Sequence, residues 1–484
     1  MTDKQFCMSS YLAYRYIERD DMNFFEGLSH ENIKALPNEQ TISVRTTDDI
    51  DCEIQKQFDR LKGKRLGIFL SGGMDSACLA SYMRGADAYT FRFLGGEFQK
   101  EELSKAEYYA RYYNLNLHYI DIDWTTVEKY LRPCMEQKGA PVHSIEPQLL
   151  QGALQAKADG VELMIIGESS DLLFGGMDKL LAKDWDFDEF VNRYTFTNPA
   201  DVLRNPVDVN YLYERYRMGN KIDFMRFMDD VFSIESSGSY FNAFKVAEMP
   251  YLDPYAILRM SEPLDLHRVR NGEPKYLIRG LFHKKYPDIP IPDKTPMPRP
   301  VDEYFKDWQG PTRPEFRRDI DMSKFSGNQK WQMYCLEEFL NIYDPICIGY
   351  TTGVYDLFHI GHLNLLRKAK EQCDYLIVGV STDDLVEYKG KRSVIPFEER
   401  KEIVKAIRYV DEVVTQADMD KLSAWHKYHF NVMFVGDDWK GTEKWNRIEQ
   451  ELKDVGAKVV YFPYTKGTSS TLINETLNKL RGEK

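Results

Sequence analysis

The sequence predicts an α/β protein made of two doubly wound parallel-sheet domains in tandem. Two strand–turn–helix openings carry that reading: RLGIFLSGGMDSACLASYM at Arg65–Met83 and CIGYTTGVYDLFHIGHLNLLRKAKEQ at Cys347–Gln372. Each starts its own alternation of short apolar runs and charged, helix-length stretches, the pattern of a parallel sheet covered by helices. The third observation is length, since 484 residues exceed what one ordinary core accommodates.

After the first opening, strands are expected at Ala88–Phe93 and Leu117–Ile122, with a helix over Lys100–Tyr113 between them and a further apolar strand at Val161–Gly167. Phe187–Val246 reads as mostly helical. Proline is dense from Pro287 to Pro314, which marks an irregular stretch, and a helix is expected over Gln329–Ile342. The second opening has a strand ending near Tyr350 and a helix from about His362. Strands at Tyr375–Ser381, Asp411–Val414, Val432–Asp438 and Lys458–Pro463 follow, with a helix at Phe397–Ile407. The expected domains are 1–60, 61–345 and 346–484.

Composition excludes several classes. No apolar run approaches eighteen residues, so no membrane insertion is expected. The first residues carry no basic stretch followed by an apolar block. Seven scattered cysteines without a CxxC pair argue against a disulfide framework and fit a cytoplasmic protein. A net charge of −12 argues against general nucleic-acid binding. It leaves nucleotide substrates open, because backbone amides and a few lysines hold one anionic ligand locally.

Two motifs carry chemistry. In GVYDLFHIGHLNLL, small residues Thr351–Gly353 make a turn before a helix whose free amides suit phosphate. His359 and His362, three apart, can point the same way and donate to charge developing on a phosphoryl group in flight. In SGGMDS (Ser71–Ser76), a strand precedes, a helix follows, and two glycines let amides approach an anion. The GK[ST] of a Walker loop is absent there.

GVYDLFHIGH, DYLIVGVSTDD, EERKEIVKAIRYVDEVV and GDDWKG together closely resemble the glycerol-3-phosphate cytidylyltransferases and, less closely, the phosphocholine and phosphoethanolamine enzymes. The resemblance implies a Rossmann-like nucleotidyltransferase domain that uses CTP, with His359 and His362 stabilising the transition state. It places Thr352, Gly353, Tyr355 and Gly361 along the nucleotide and Asp356 at its phosphate and metal end. Lys389 or Lys391 would reach the triphosphate or the acceptor phosphate, Arg400 the acceptor phosphate or CTP, and Asp437 the acceptor or nucleotide. In YTKGTSSTL, Gly467, Ser469, Ser470 and Thr471 would contact phosphate or ribose, but Tyr464 stands where the family has an arginine.

SGGMDS, IIGESSDLLFGG (Ile165–Gly176), MPYLDP (Met249–Pro254) and PKYLIRGLF (Pro274–Phe282) resemble the PP-loop (adenine nucleotide alpha hydrolase-like) synthetase domain of asparagine synthetase. The resemblance implies ATP as substrate, with Ser71, Gly72, Gly73, Asp75, Ser76 and Gly167 at the nucleotide. Glu168 and Asp171 would bind Mg²⁺ or position the amine, and Lys275 would stabilise charge at the reacting carbonyl. Leu172 replaces an expected acidic residue. Residues 11–39 resemble the end of a glutaminase domain, yet the chain opens Met1-Thr2 rather than with a cysteine nucleophile, so glutamine hydrolysis is not expected.

These readings imply a bifunctional enzyme acting on small molecules: a cytidylyltransferase joined to an AMP-forming amide synthetase, in a pathway for a cell-surface polymer or phospholipid. The alternatives are a cytidylyltransferase with a regulatory PP-loop module, and an ammonia-dependent asparagine synthetase with an accessory domain. A homodimer and an ammonia-supplying protein are the macromolecular partners the resemblances suggest.

Overall fold

The computed structural model describes residues 1–94, 99–292, 300–388, 392–463, 472, 473, 476 and 479. The chain forms two compact units, Met1–Pro311 with Glu315–Phe339, and Thr312–Pro314 with Leu340–Lys484.

The first unit is built on strands β1 (Leu66–Phe69), β2 (Asp87–Phe93), β3 (Asn116–Ile122), β4 (Leu163–Ile165) and β5 (Tyr251–Leu252), in the order β3-β2-β1-β4-β5. Every neighbouring pair is parallel, so helices must cover both faces, which is why these strands read as nearly continuous apolar runs. On one face Ile68, Leu79, Ala88 and Ile165 share a core with Ile50, Ile54 and Phe58 of the Thr47–Arg60 helix and Ile278, Leu281 and Phe282 of the Tyr276–Lys285 helix. Each fully buried side chain of this size contributes about 1.5–3 kcal/mol. A reciprocal cap between Thr46 and Asp49 starts the first of these helices. The second approaches it closely at Gly280, where a Cβ would strike Thr47.

The N-terminal helix Lys4–Tyr14 is buried over almost its whole length, from Phe6 to Tyr14. It is therefore part of this unit's interior. Arg15, just after it, pairs with Glu235 at 3.0 Å.

In the second unit, β6 (Ile348–Gly353), β7 (Tyr375–Ser381), β8 (Glu412–Gln416), β9 (Val432–Gly436) and β10 (Lys458–Phe462) form another parallel sheet, ordered β8-β7-β6-β9-β10. Alternate residues divide between two cores: Leu376, Val378 and Val380 pack with Leu366, Ala369 and Val404, whereas Ile377 packs with Tyr350, Met433, Ile448 and Leu452.

Both sheets thus have the same order, with the first strand at the centre and the direction of winding reversing between it and the fourth. In such sheets the crevice beyond the carboxyl ends of those two strands is where ligands bind. The fold class is the one expected, two doubly wound domains, the PP-loop domain first and the Rossmann-like nucleotidyltransferase domain second.

Local differences have simple causes. The strand expected at Val161–Gly167 spans only Leu163–Ile165, since the backbone leaves the sheet to form the 167–171 turn. The helix expected from His362 starts at Ile360, because His359 itself caps it. The mostly helical stretch 187–246 contains a hairpin, Arg217–Met218 against Lys221–Ile222, turned by Gly219 at φ 65°. The seven cysteines are all free, and no helix among the described residues is long and apolar enough to cross a membrane.

Candidate active sites

In the second unit, β6 delivers its chain end to the crevice between β6 and β9. Beyond it, Tyr355 and Leu357 take left-handed conformations at φ 54° and 46°. Such backbone costs a non-glycine residue roughly 1–2 kcal/mol each, so surrounding contacts must hold it. Asp356 supplies them: its Oδ2 accepts the Val394 amide and its Oδ1 the Ile395 amide, both at 2.9 Å.

The turn presents His359 as N-cap of the Ile360–Lys370 helix. Its Nδ1 accepts the Gly361 amide at 3.0 Å, which places the ring proton on Nε2. The His359 and His362 rings stack at 4.0 Å between centroids. Tyr355 and Phe358 flank His362 at 5.3 and 5.4 Å. Burial, reinforced by the adjacent His359, lowers His362 to about 4, while Asp356 opposes the shift. Burial also lowers His359. The pair is therefore neutral at pH 7. His362 Nδ1 is buried without a hydrogen-bond partner among the described residues, a polar atom that a ligand oxygen could satisfy.

Two expectations are corrected here. Arg400, expected at phosphate, is fully buried. It donates to the carbonyls of Ile395 at 2.9 Å and Ser381 at 2.8 Å, to that of Val354, and to Asp383. A planar fork with five donors, enclosed by three carbonyls and a carboxylate, ties loops together; Arg400 positions the site from within. Asp356, expected at the phosphate and metal end, is likewise turned inward onto backbone amides. Its short side chain meets the free N–H groups before the Phe397–Lys405 helix. Thr352 and Gly353 end β6, and Asp437 is exposed just past β9. Lys389, Lys391, Gly467, Ser469, Ser470 and Thr471, like Tyr464, lie outside the described residues.

Lys421 was not singled out from sequence. It begins the Lys421–Tyr428 helix, capped by Asp420, and its buried ammonium donates to Thr352 Oγ1 at 3.2 Å. Nothing in its surroundings (DMDKLS) distinguishes it from a surface lysine.

In the first unit, SGGMDS follows β1. The Ser76 hydroxyl accepts the Ser71 amide at 3.1 Å and lies 3.0 Å from the Ser71 hydroxyl, which accepts the Gly73 amide at 3.1 Å. Gly72 is required by crowding, since a Cβ would come within 2.9 Å of the Glu102 carbonyl oxygen. Across the crevice, the turn after β4 brings Ser170 Oγ to Asp75 Oδ1 at 2.6 Å. Lys275 closes the set: its Nζ donates to Asp75 Oδ2 at 2.6 Å and pairs with Asp171. Burial would lower Lys275, but Asp75 and Asp171 outweigh it and raise the group above the ordinary lysine range. Gly176 makes room, because a Cβ there would collide with both Asp171 and the Lys275 chain.

Glu168 lies beside this triad and hydrogen-bonds with Ser236. Burial and the carboxylates of Asp171, Asp253 and Glu235 raise it from 4.5 to about 8. Asp253, within MPYLDP and not among the residues expected at the site, is raised to about 6 by burial, against the amides of Ser169 and Tyr255 that it accepts. A carboxyl raised in the native state keeps its proton where the unfolded chain has lost it. Stability from this group therefore falls as pH rises between about 4.5 and 8. Urea unfolding at pH 5, 6 and 7 should show the wild-type stability, relative to Glu168→Gln, dropping by about 1.4 kcal/mol per pH unit. A difference that stays constant across that range would mean Glu168 ionises normally.

A neutral histidine pair at a helix start beyond the first strand of a 3-2-1-4-5 sheet can donate hydrogen bonds to a phosphoryl group bound in the crevice. Residues 350–476 match the cytidylyltransferase-like family model, and residues 59–238 match the asparagine synthase model. The chain is 39% identical over 131 residues to the glycerol-3-phosphate cytidylyltransferase of Bacillus spizizenii, covering 27% of this chain and 96% of that protein. It is 40% identical over 128 residues to the Bacillus subtilis enzyme, covering 26% and 94% respectively. The same region is 30% identical over 132 residues to the FAD synthase of Thermococcus sibiricus, covering 27% of this chain and 89% of the relative. Through its C-terminal domain the chain belongs to the cytidylyltransferase-like family. It is a nucleotidyltransferase that also carries an asparagine synthase-type PP-loop domain.

Proposed function

We propose that the C-terminal domain transfers a cytidylyl group from CTP to glycerol 3-phosphate, and that the N-terminal half is an AMP-forming amide synthetase. The observation that carries the first assignment is the stacked, neutral His359–His362 pair at the crevice between β6 and β9. An acceptor phosphate oxygen attacks the α-phosphorus of CTP in line, the new P–O bond forms, and the bond to pyrophosphate breaks with its electron pair leaving on pyrophosphate. The acceptor is already anionic, so no protein nucleophile is required. His359 Nε2–H and His362 donate to the oxygens where charge accumulates. Lys421 supports the acceptor phosphate from the end of β6, where its ammonium already meets Thr352.

In the N-terminal half, a carboxylate oxygen attacks the α-phosphorus of ATP and releases pyrophosphate into the SGGMDS loop. An amine then attacks the acyl carbon, and the C–O bond breaks with AMP leaving. Lys275 carries the charge developing at that carbonyl; Glu168, ionised when an alkylammonium lies beside it, takes the ammonium proton to free the nucleophile, and the proton lost after attack goes to solvent. Mg²⁺ would fit the donor chemistry through Asp171 and Asp75, hard carboxylates beside the phosphate loop that Lys275 also neutralises. Mg²⁺ needs one or two such ligands plus phosphate oxygens. When bound it would neutralise pyrophosphate charge.

The test uses the full chain. With CTP, glycerol 3-phosphate should give pyrophosphate and a CDP-linked product at least 10-fold faster than phosphocholine or phosphoethanolamine. Equal rates would remove the acceptor assignment. With ATP, AMP should form only when a carboxylate and an amine are both present.

A further inference from the structure

Beside the Lys275 triad, on its β4–β5 side, lies a cavity of about 340 Å³ that the reaction scheme above leaves unfilled. A water- or ammonia-sized molecule occupies roughly 30 Å³, so the space is an order of magnitude larger than ammonia needs. Its walls are mostly apolar: Ile33 and Leu36 from the N-terminal segment, Ile166, Leu172, Leu252 and Ile257. Leu172 is the residue standing where the resemblance led to an acidic one, and here it extends the apolar lining. Glu168, Asp253, Ser169, Ser236, Ser237 and Tyr240 supply the polar part of the lining, and Glu168 hydrogen-bonds with Ser236. Lys34, the one cation in the lining, pairs with Asp20 at 3.1 Å, both largely exposed.

We propose that this cavity binds the amine substrate, and that the amine is an organic primary amine with an apolar body of about four to six heavy atoms. The assignment rests on the amide synthetase reading of the same half. Charge complementarity selects the amine over the acid: an alkylammonium head beside Glu168 draws that carboxyl back to its ionised form and lies in the field of Asp253, whereas a carboxylate there would meet only acidic groups. The apolar walls, including the 33–36 segment, bury the carbon chain, at about 0.8 kcal/mol per methylene. The roomy, apolar-walled space also separates this reading from one in which ammonia is the natural nucleophile, since a small polar molecule gains nothing from leucine and isoleucine walls.

The experiment is isothermal titration of the full-length protein with n-butylamine, ammonium and butyrate as probes. Saturable binding of n-butylamine is expected, at least 10-fold tighter than ammonium, with no binding of butyrate. Glu168→Gln, which removes the carboxyl that an ammonium head would ionise, should weaken n-butylamine at least 10-fold. Ala256→Phe, which fills the cavity from the wall, should do the same, and Leu36→Trp at the exposed rim provides a filling variant that does not disturb the interior. Binding of butyrate instead of n-butylamine, or unchanged affinity in both filling variants, overturns the proposal. AMP release separates the two layers. If no carboxylate and amine pair yields AMP but n-butylamine binding behaves as described, the pocket stands and the synthetase reading falls. If AMP forms with ammonium while n-butylamine neither binds nor competes, the synthetase reading stands and the pocket assignment falls.

Discussion

Replacing His362 with alanine is expected to slow CTP-dependent pyrophosphate release by about 10²–10³-fold, with little change in KM for CTP, the signature of a donor that acts mainly in the transition state. His362 is the more enclosed of the two rings, held between Tyr355, Phe358 and His359. Its surroundings keep it uncharged, at about 4, so it contributes a hydrogen bond whose geometry is fixed in advance rather than a mobile positive charge. The rate should accordingly be flat from pH 6 to 8. A wild-type rate falling through that range as a histidine loses its proton would point to a cationic role instead. ATP-dependent AMP release should survive the substitution, which separates a local effect from loss of the fold.

Lys275→Met should have the largest effect in the other half, reducing AMP formation by about 10³-fold or more. It should also destabilise the protein by about 3–5 kcal/mol, because it leaves Asp75 and Asp171 as uncompensated carboxylates. The two effects can be separated. Adding Asp171→Asn to Lys275→Met removes one orphaned charge, so part of the stability should return while activity does not. Recovery of AMP formation in the double variant would show that Lys275 serves only to neutralise its neighbours.

Much of this was legible in the sequence, for reasons that differ by element. Tyr375–Ser381 is legible because a strand buried on both faces is a nearly continuous apolar run, here bounded by Asp374 on one side and Asp383 and Asp384 on the other. The placement of SGGMDS and the HIGH segment after strands followed from local turn chemistry. What was not legible is the set of contacts between segments distant in the chain. Arg400 carries the same charge whether it meets phosphate or three carbonyls, and only the fold shows that it meets carbonyls. Lys421 looks like any lysine on a helix until β6 puts Thr352 beneath it. The cavity beside Glu168 draws on residues 33–36, 166–173, 236–240 and 251–257, and no single stretch of sequence announces it.

The reach of those contacts governs when each site comes into being as the chain is made. Asp75 waits for Lys275, 200 residues later, and the turn carrying the histidines waits for the amides at Val394 and Ile395, 38 and 39 residues beyond Asp356. Contacts of the first kind close a long loop before any stabilisation returns. On the ribosome, the phosphate loop of the first half is therefore translated early yet stays without its lysine until more than half of the chain has emerged. The nucleotidyltransferase turn acquires its clamp soon after its own synthesis. Of the two sites, the one encoded last is the one whose parts are gathered over the shorter stretch of translation.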